Sequence, residues 1–223
     1  MYNILKRILD IVFSLISILI LSPLLIPIIV GLKLTGEGHI FYKQERIGYK
    51  NKPFYIWKFA TMLKNSVNMP GGHITLKKDP RLTPMGDFLR KSKINELPQL
   101  FNIFVGSMSI VGPRPVMKIS FDAYPNKIQK VIYNVKPGLT GIGSVIFRDE
   151  EKLISDIKNN GGDVLQFYKE KIYPYKGDLE IWYQKNRSFF LDIGLIFITI
   201  WVVFSSSSNI SDKIFKDLPK RNF

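Results

Sequence analysis

From Ile11 to Leu32 the chain runs 22 residues without a charged side chain, bracketed by Asp10 and Lys33. As a straight helix this run would be about 33 Å long, enough to cross a bilayer core of roughly 30 Å. Two features argue against a simple crossing. Ser22-Pro23 falls in the middle of the run and Pro27 follows one turn later, and an interior proline removes a backbone hydrogen bond and kinks a helix. Both flanks are also basic, with Lys6 and Arg7 before the run and Lys33, Lys43, Arg46 and Lys50 after it. A spanning helix would leave one basic flank outside, against the positive-inside tendency. The pattern therefore predicts a re-entrant helix that breaks at Ser22-Pro23 and returns to the face it entered. No small-residue cleavage site ends the run, so it does not read as a cleaved signal peptide.

The rest of the 223 residues is enough for one medium domain with a real core. Cysteine is absent, which excludes disulfides and thiolate metal sites. His39 and His73 are the only histidines, far apart in sequence, so a histidine-rich zinc site is not expected. The formal charge of +14 calls for an anionic partner. No zinc-finger spacing, RNA-binding motif or helix-turn-helix accompanies that charge, so anionic membrane lipid is expected and nucleic acid is not.

The densest chemistry lies between Asp79 and Pro115. Arg81, Arg90 and Arg114 present rigid forks suited to phosphate oxygens. Glu96 supplies a carboxylate able to hold a metal or move a proton. Ser92 is positioned to cap a short helix over Asn95–Phe104, with Pro98 in its first turn. That would set Asn95 and Glu96 at a helix N-terminus, where backbone amides favour anions. Singly, each arginine reads as a surface ion-pair partner; together with Glu96 they suggest phosphate chemistry.

Glycines around Ile40–Tyr42 and the apolar run Phe54–Trp57 predict a short β-hairpin. Asn65–Lys78 reads as an irregular loop and Asp122–Val135 as helix. Lys136-Pro-Gly-Leu-Thr-Gly141 is a turn-rich return whose amides either line a phosphate pocket or form a plain loop. Glu150–Lys171 suggests one or two exposed helices parted at Asn159-Asn160-Gly161-Gly162. Phe189–Phe204 is apolar but short for a span, and is expected to lie on the membrane or against the first helix. Three regions are expected: a membrane helix over 1–35, a compact domain with interfacial helices over 36–204, and a polar tail over 205–223.

Taken in order, these landmarks resemble the bacterial sugar transferases known as monotopic phosphoglycosyl transferases. The matching pieces are Lys6-Arg7 with Asp10, Ser22-Pro23, Gln44-x-Arg46-x-Gly48, Lys58-Phe59-x-Thr61-Met62, Asp79-Pro-Arg81, Leu89-Arg90 and Glu96-Leu-Pro-Gln-Leu. Gly106-x-Met108-Ser, Val111-Gly-Pro-Arg-Pro115, Lys136-Pro-Gly-Leu-Thr-Gly141 and Asn186-x-Ser188 with Asp192 continue the series over nearly the whole chain. The resemblance implies an α/β fold, mostly helical with a small β-hairpin, held by the re-entrant helix on the cytoplasmic face of the bacterial inner membrane. It also implies transfer of a sugar-1-phosphate from a UDP-sugar to polyprenyl (undecaprenyl) phosphate with release of UMP, with magnesium (Mg2+) as cofactor. Asn95 and Glu96 would then be the catalytic and metal-holding pair, and Lys58, Arg81, Arg90, Arg114 and Arg148 the substrate-binding cations. A homodimer is left open.

One departure bears on the chemistry. The family's catalytic pair is usually Asp-Glu, the aspartate attacking phosphorus, whereas this chain has Asn95-Glu96. A neutral amide is a far poorer nucleophile than a carboxylate. Three routes stay open: Glu96 is the nucleophile with Asn95 a metal ligand, the lipid phosphate attacks directly, or the protein binds its substrates without turnover. The first, an active transferase resting on Glu96, leads. Ala60 stands where a basic residue is common, and Ile142–Arg148 departs from the usual Trp-x-x-Val-x-Gly-Arg run, which leaves the sugar unspecified.

Overall fold

A computed structural model describes residues 1–69, 79–147, 149–204, 215 and 217–223. In chain order, helix α1 (Tyr2–Leu34) precedes strands β1 (Phe41–Ile47) and β2 (Pro53–Phe59). Helix α2 (Gly86–Lys91), a 3-10 turn over Ile94–Glu96 and α3 (Gln99–Val105) follow, then β3 (Ser109–Val111). Next come α4 (Lys118–Asp122), α5 (Asn126–Gln129), β4 (Gly138–Thr140), α6 (Ile142–Ile146), α7 (Glu150–Asn159) and α8 (Val164–Phe167). A π-helical turn over Tyr168–Ile172 runs into α9 (Tyr173–Asn186), and α10 (Phe189–Phe204) ends the helical part. The fold is mostly helical with two small sheets, β1-β2 and β3-β4. The first is the expected hairpin. The second is parallel, pairing Ser109 with Gly138 and Val111 with Thr140. Parallel strands need a long crossover, here carrying α4 and α5. The helix expected over Asp122–Val135 is realised only in α5, because Pro125 stops one helix and starts the next.

Helix α1 carries Pro23 and Pro27 inside a continuous helical span. Pro23 has no N–H to offer the Leu19 carbonyl one turn back. The Ser22 hydroxyl donates to that carbonyl instead, at 2.8 Å. In an apolar surrounding such a replacement matters, since no water is there to satisfy the carbonyl. Among the described residues α1 is the one helix long and apolar enough to cross a membrane.

Two units divide the chain. One takes Ile11–Glu45 and Tyr55–Val105. Its core gathers Ile28 and Leu32 of α1, Phe59 of β2 and Leu89 of α2, with Leu25, Ile29, Ile40, Met85 and Ile94 at the edge. Apolar side chains on the rest of this α1 segment, among them Ile16, Leu19, Ile20, Ile26 and Val30, stay exposed. The Thr35 hydroxyl bonds the Gly31 carbonyl at 2.7 Å to close the helix, and Gly36 and Gly38 take left-handed φ to turn the chain out of it.

The other unit takes Met1–Asp10, Arg46–Phe54 and Gly106–Phe223. Ile47, Tyr124, Ile128, Ile132 and Tyr133 form its buried cluster. Gly177 on α9 lets Ile128 close in, since a β-carbon there would stand 2.3 Å from the isoleucine side chain. The chain start is tied to α10 by polar groups. Asp192, 1% exposed, accepts from Lys6 Nζ at 2.7 Å, Tyr2 Oη at 2.9 Å and Tyr183 Oη at 2.7 Å. Asp10 is likewise buried, its Oδ1 accepting from the Ile110 amide at 2.8 Å and the Ser109 hydroxyl at 3.0 Å. These bonds settle carboxylates that would otherwise be costly inside a fold.

Candidate active site

In the unit built on Ile11–Glu45 and Tyr55–Val105, the chain from Asp79 to α3 makes two consecutive tight turns. Asp79 Oδ1 accepts from the Arg81 amide at 3.0 Å, the local geometry expected of an Asp-Pro-x turn. Its two oxygens also grip the Arg81 fork, Oδ1 on Nε at 2.9 Å and Oδ2 on Nη2 at 2.7 Å. Arg81 is 2% exposed. Its guanidinium lies inside the fold, gripped by Asp79.

Helix α2 then presents Arg90. Its end is closed by Ser92, whose hydroxyl bonds Phe88 O at 2.8 Å. The sequence expectation gave Ser92 to the following helix; it caps the preceding one. Lys93 follows with φ of 60°, a left-handed conformation unusual for a lysine. That reversal drops Asn95 and Glu96 into the short 3-10 turn, before α3 begins beyond Pro98.

Asn95 is buried, and among the described residues its Oδ1 has no hydrogen-bond partner. Orphaned buried oxygens are rare and call for an explanation. Glu96 beside it is half-buried. Burial pulls the Arg90 guanidinium below its usual value and Arg81 adds to this, while the carboxylates of Asp79 and Glu96 oppose it. Arg90 thus stands in the field of all three, and it stays charged because arginine starts so high. Lys58, half-buried on β2, belongs to the same unit. Asn102 of α3 fixes that strand, accepting the Trp57 amide at 2.9 Å and donating to Tyr55 O at 2.8 Å. A side-chain amide reproduces here the pair of bonds a neighbouring strand would make.

Arg114 lies in the other unit, exposed, after β3. Tyr133, 1% exposed, pins the backbone on both sides of Pro115. Its hydroxyl donates to Arg114 O at 2.8 Å and accepts from the Val116 amide at 3.1 Å. The return after Lys136 becomes β4, and the Gly138 amide is spent on Pro113 O at 2.9 Å. That amide does not line a pocket. Arg148 and residues 70–78 of the expected loop lie outside the described residues.

For a hard cation, no cluster of three His, Cys, Asp or Glu side chains exists among the described residues. The orphaned Asn95 oxygen and the adjacent Glu96 carboxylate nonetheless suit magnesium, which is usually held by one or two protein oxygens, substrate phosphates and water. Sequence reasoning missed Asn102 and Tyr133. Each sits in an ordinary helical or turn segment, and its role depends on a partner far away in the chain.

The sequence profile described as bacterial sugar transferase matches residues 1–206. A UDP-glucose:undecaprenyl-phosphate glucose-1-phosphate transferase of Klebsiella pneumoniae is 32% identical over 91% of this chain and 41% of its own length. An undecaprenyl-phosphate galactose phosphotransferase of Salmonella typhimurium is 34% identical over 89% of this chain and 40% of its own. An uncharacterized sugar transferase of Bacillus subtilis is 33% identical over 88% of this chain and 86% of its own length. The chain thus spans about two fifths of the first two relatives and most of the third.

Proposed function

Since the chain belongs to the bacterial sugar transferase family, we propose that it transfers a sugar-1-phosphate from a UDP-sugar to polyprenyl phosphate, releasing UMP. The observation that carries this reading is the grouping of Arg90 with Asp79, Arg81 and Glu96 next to the orphaned Asn95 oxygen. In the reaction, the sugar-bearing phosphorus loses its bond to the bridging oxygen, which leaves with UMP, and gains a bond to an oxygen of the lipid phosphate. Arg90 and Lys58, which belong to one unit, are read as cations for the diphosphate oxygens, and Arg114 and Arg148 keep the substrate-binding role that the family resemblance implies. Arg81 serves this site through Asp79, holding the turn that precedes Arg90. Glu96 either takes the phosphosugar first or positions the cation. Magnesium, held by Glu96 and the Asn95 oxygen, would neutralise charge on the diphosphate. Relatives named as acting on UDP-glucose and on galactose support the donor class.

A polar donor and an apolar acceptor must meet at the membrane surface. We read α1 as re-entrant, with its turning point at Ser22-Pro23 and both basic flanks on the cytoplasmic face of the inner membrane. Residues 1–35 anchor and 36–204 form the catalytic body with α10 in the interface; of the expected polar tail, Pro219, Arg221 and Phe223 pack onto Tyr175, Asp149 and Phe147. Because the chain has no cysteine, single cysteines before Ile11 and after Leu32 test this directly. Labelling of both from one side is expected, and labelling from opposite sides would refute the re-entrant reading.

The chemistry is tested by UMP release from a panel of UDP-sugars with undecaprenyl phosphate and magnesium. Release that disappears in Glu96→Gln is expected. A silent parent beside an active Asn95→Asp would instead identify a binding protein disabled at Asn95.

A further inference from the structure

Lys6 and Arg7 stand next to each other but serve different partners. Lys6 is consumed by Asp192 at 2.7 Å. Arg7 turns toward Gly106, where it meets a cation from a distant part of the same unit. A β-carbon on Gly106 would stand 3.2 Å from Arg7 Nη2 and 3.2 Å from Lys136 Nζ. Twice that distance is the most that can separate the two nitrogens. One phosphate group spans such a gap, with separate oxygens accepting at the roughly 2.7–2.9 Å of charge-assisted bonds.

We propose that Arg7 and Lys136, converging over Gly106, form a binding cradle for a phosphate group. Gly106 is suited to its floor. Its φ of +88° lies where a side chain is strained, and any side chain would press on both cations. Asp10 is the carboxylate that faces the pair, and its Oδ1 already accepts from Ser109 and Ile110. Asp10 acts on Lys136 more weakly than Arg7 does, so the surroundings of Lys136 favour a further anion. Burial and the neighbouring Arg7 lower the affinity of Lys136 for its proton, and Asp10 opposes them. A bound phosphate would relieve that repulsion. Both Lys136 and Arg7 are half-buried rather than sealed, so a ligand can reach them. The phosphate has two sources, a membrane lipid carrying a phosphomonoester or free phosphate. Binding of either needs no turnover, so the inference stands or falls apart from the transferase reading.

The test uses the full chain in phosphatidylcholine nanodiscs with two probes. Inorganic phosphate is followed by phosphorus NMR line width, and undecaprenyl phosphate doped into the disc by its shift change on binding. Lys136→Met is expected to weaken at least one probe roughly tenfold, with Lys136→Arg retaining it; the probe that responds names the source. Wild-type affinity of Lys136→Met for both probes would overturn the cradle. Acylation of Lys136 in the unmutated protein, read by mass spectrometry, provides a check that needs no variant. Protection by either probe is expected, and an unchanged acylation rate with both would overturn the proposal.

Discussion

The Glu180 carboxyl, wholly buried on α9, accepts the Gly143 backbone amide through one oxygen, and among the described residues Oε2 has no hydrogen-bond partner. Gly143 allows the approach, since a β-carbon there would stand 2.8 Å from Glu180 Oε1. Burial pushes the carboxyl from its ordinary 4.5 up to about 8, against the Gly143 amide and the Lys176 charge, which lower it. Glu180 is therefore neutral in the fold at pH 7 and would be ionised in the unfolded chain.

A pH dependence follows. Between about pH 4.5 and 8 the folded state holds a proton that the unfolded state has lost, so stability falls as pH rises through this window. The limiting slope is about 1.4 kcal/mol per pH unit. Glu180→Gln removes this titration, and denaturant unfolding from pH 5 to 8 should show a flatter profile for the variant. Parallel profiles would exclude a buried, titrating Glu180.

Asp79 and Arg81 are predicted to fail together. Asp79→Ala leaves the buried Arg81 fork without its carboxylate and opens the turn that leads to Arg90. A drop in melting temperature of roughly 5 °C or more is expected, together with loss of UMP release. Arg81→Lys should not rescue, because an ammonium cannot reproduce the two-point grip. Near-wild-type melting of either variant would show that the pair is dispensable.

Ser22→Ala removes the hydroxyl that serves the Leu19 carbonyl beneath Pro23. A loss of about 1 kcal/mol is expected in the bilayer or in micelles, with Ser22→Thr close to the parent. Unfolding by denaturant in micelles measures it. Equal stability of Ala and Thr variants would mean that another group satisfies Leu19.

Tyr133→Phe keeps the ring in the core but deletes both bonds to the Arg114 segment. It should cost about 1–2 kcal/mol. If Arg114 contacts the donor, the same variant should raise KM for the UDP-sugar more than it lowers kcat. A pure stability loss with unchanged KM would separate Arg114 from donor binding.

Local signals were the ones legible in advance. Glycine punctuation announced β1 and β2, and the apolar run Phe189–Phe204 announced α10 at its bounds, whereas α1 begins at Tyr2, well before the run's first residue Ile11, and runs on through Pro23. Ser92 misled because a serine before a helical pattern and a serine at the end of one look alike; the left-handed Lys93 decided which it was. The β3–β4 pair gave no warning, since strands of three residues carry too little alternation to declare themselves.

By itself the sequence determined a long helix with an uncharged 22-residue stretch that contains two prolines, a basic chain without thiols, and the order of residues that keeps Arg90, Asn95 and Glu96 close together along the chain. These follow from side-chain chemistry and spacing over one or two turns. Tertiary structure alone decided that Asp192 would meet Lys6, that Lys136 would meet Arg7 over Gly106, and that Glu180 would be sealed against Gly143. Partners so far apart in sequence are chosen by how the whole core closes, because burial of apolar surface sets which polar groups are trapped together and must answer one another.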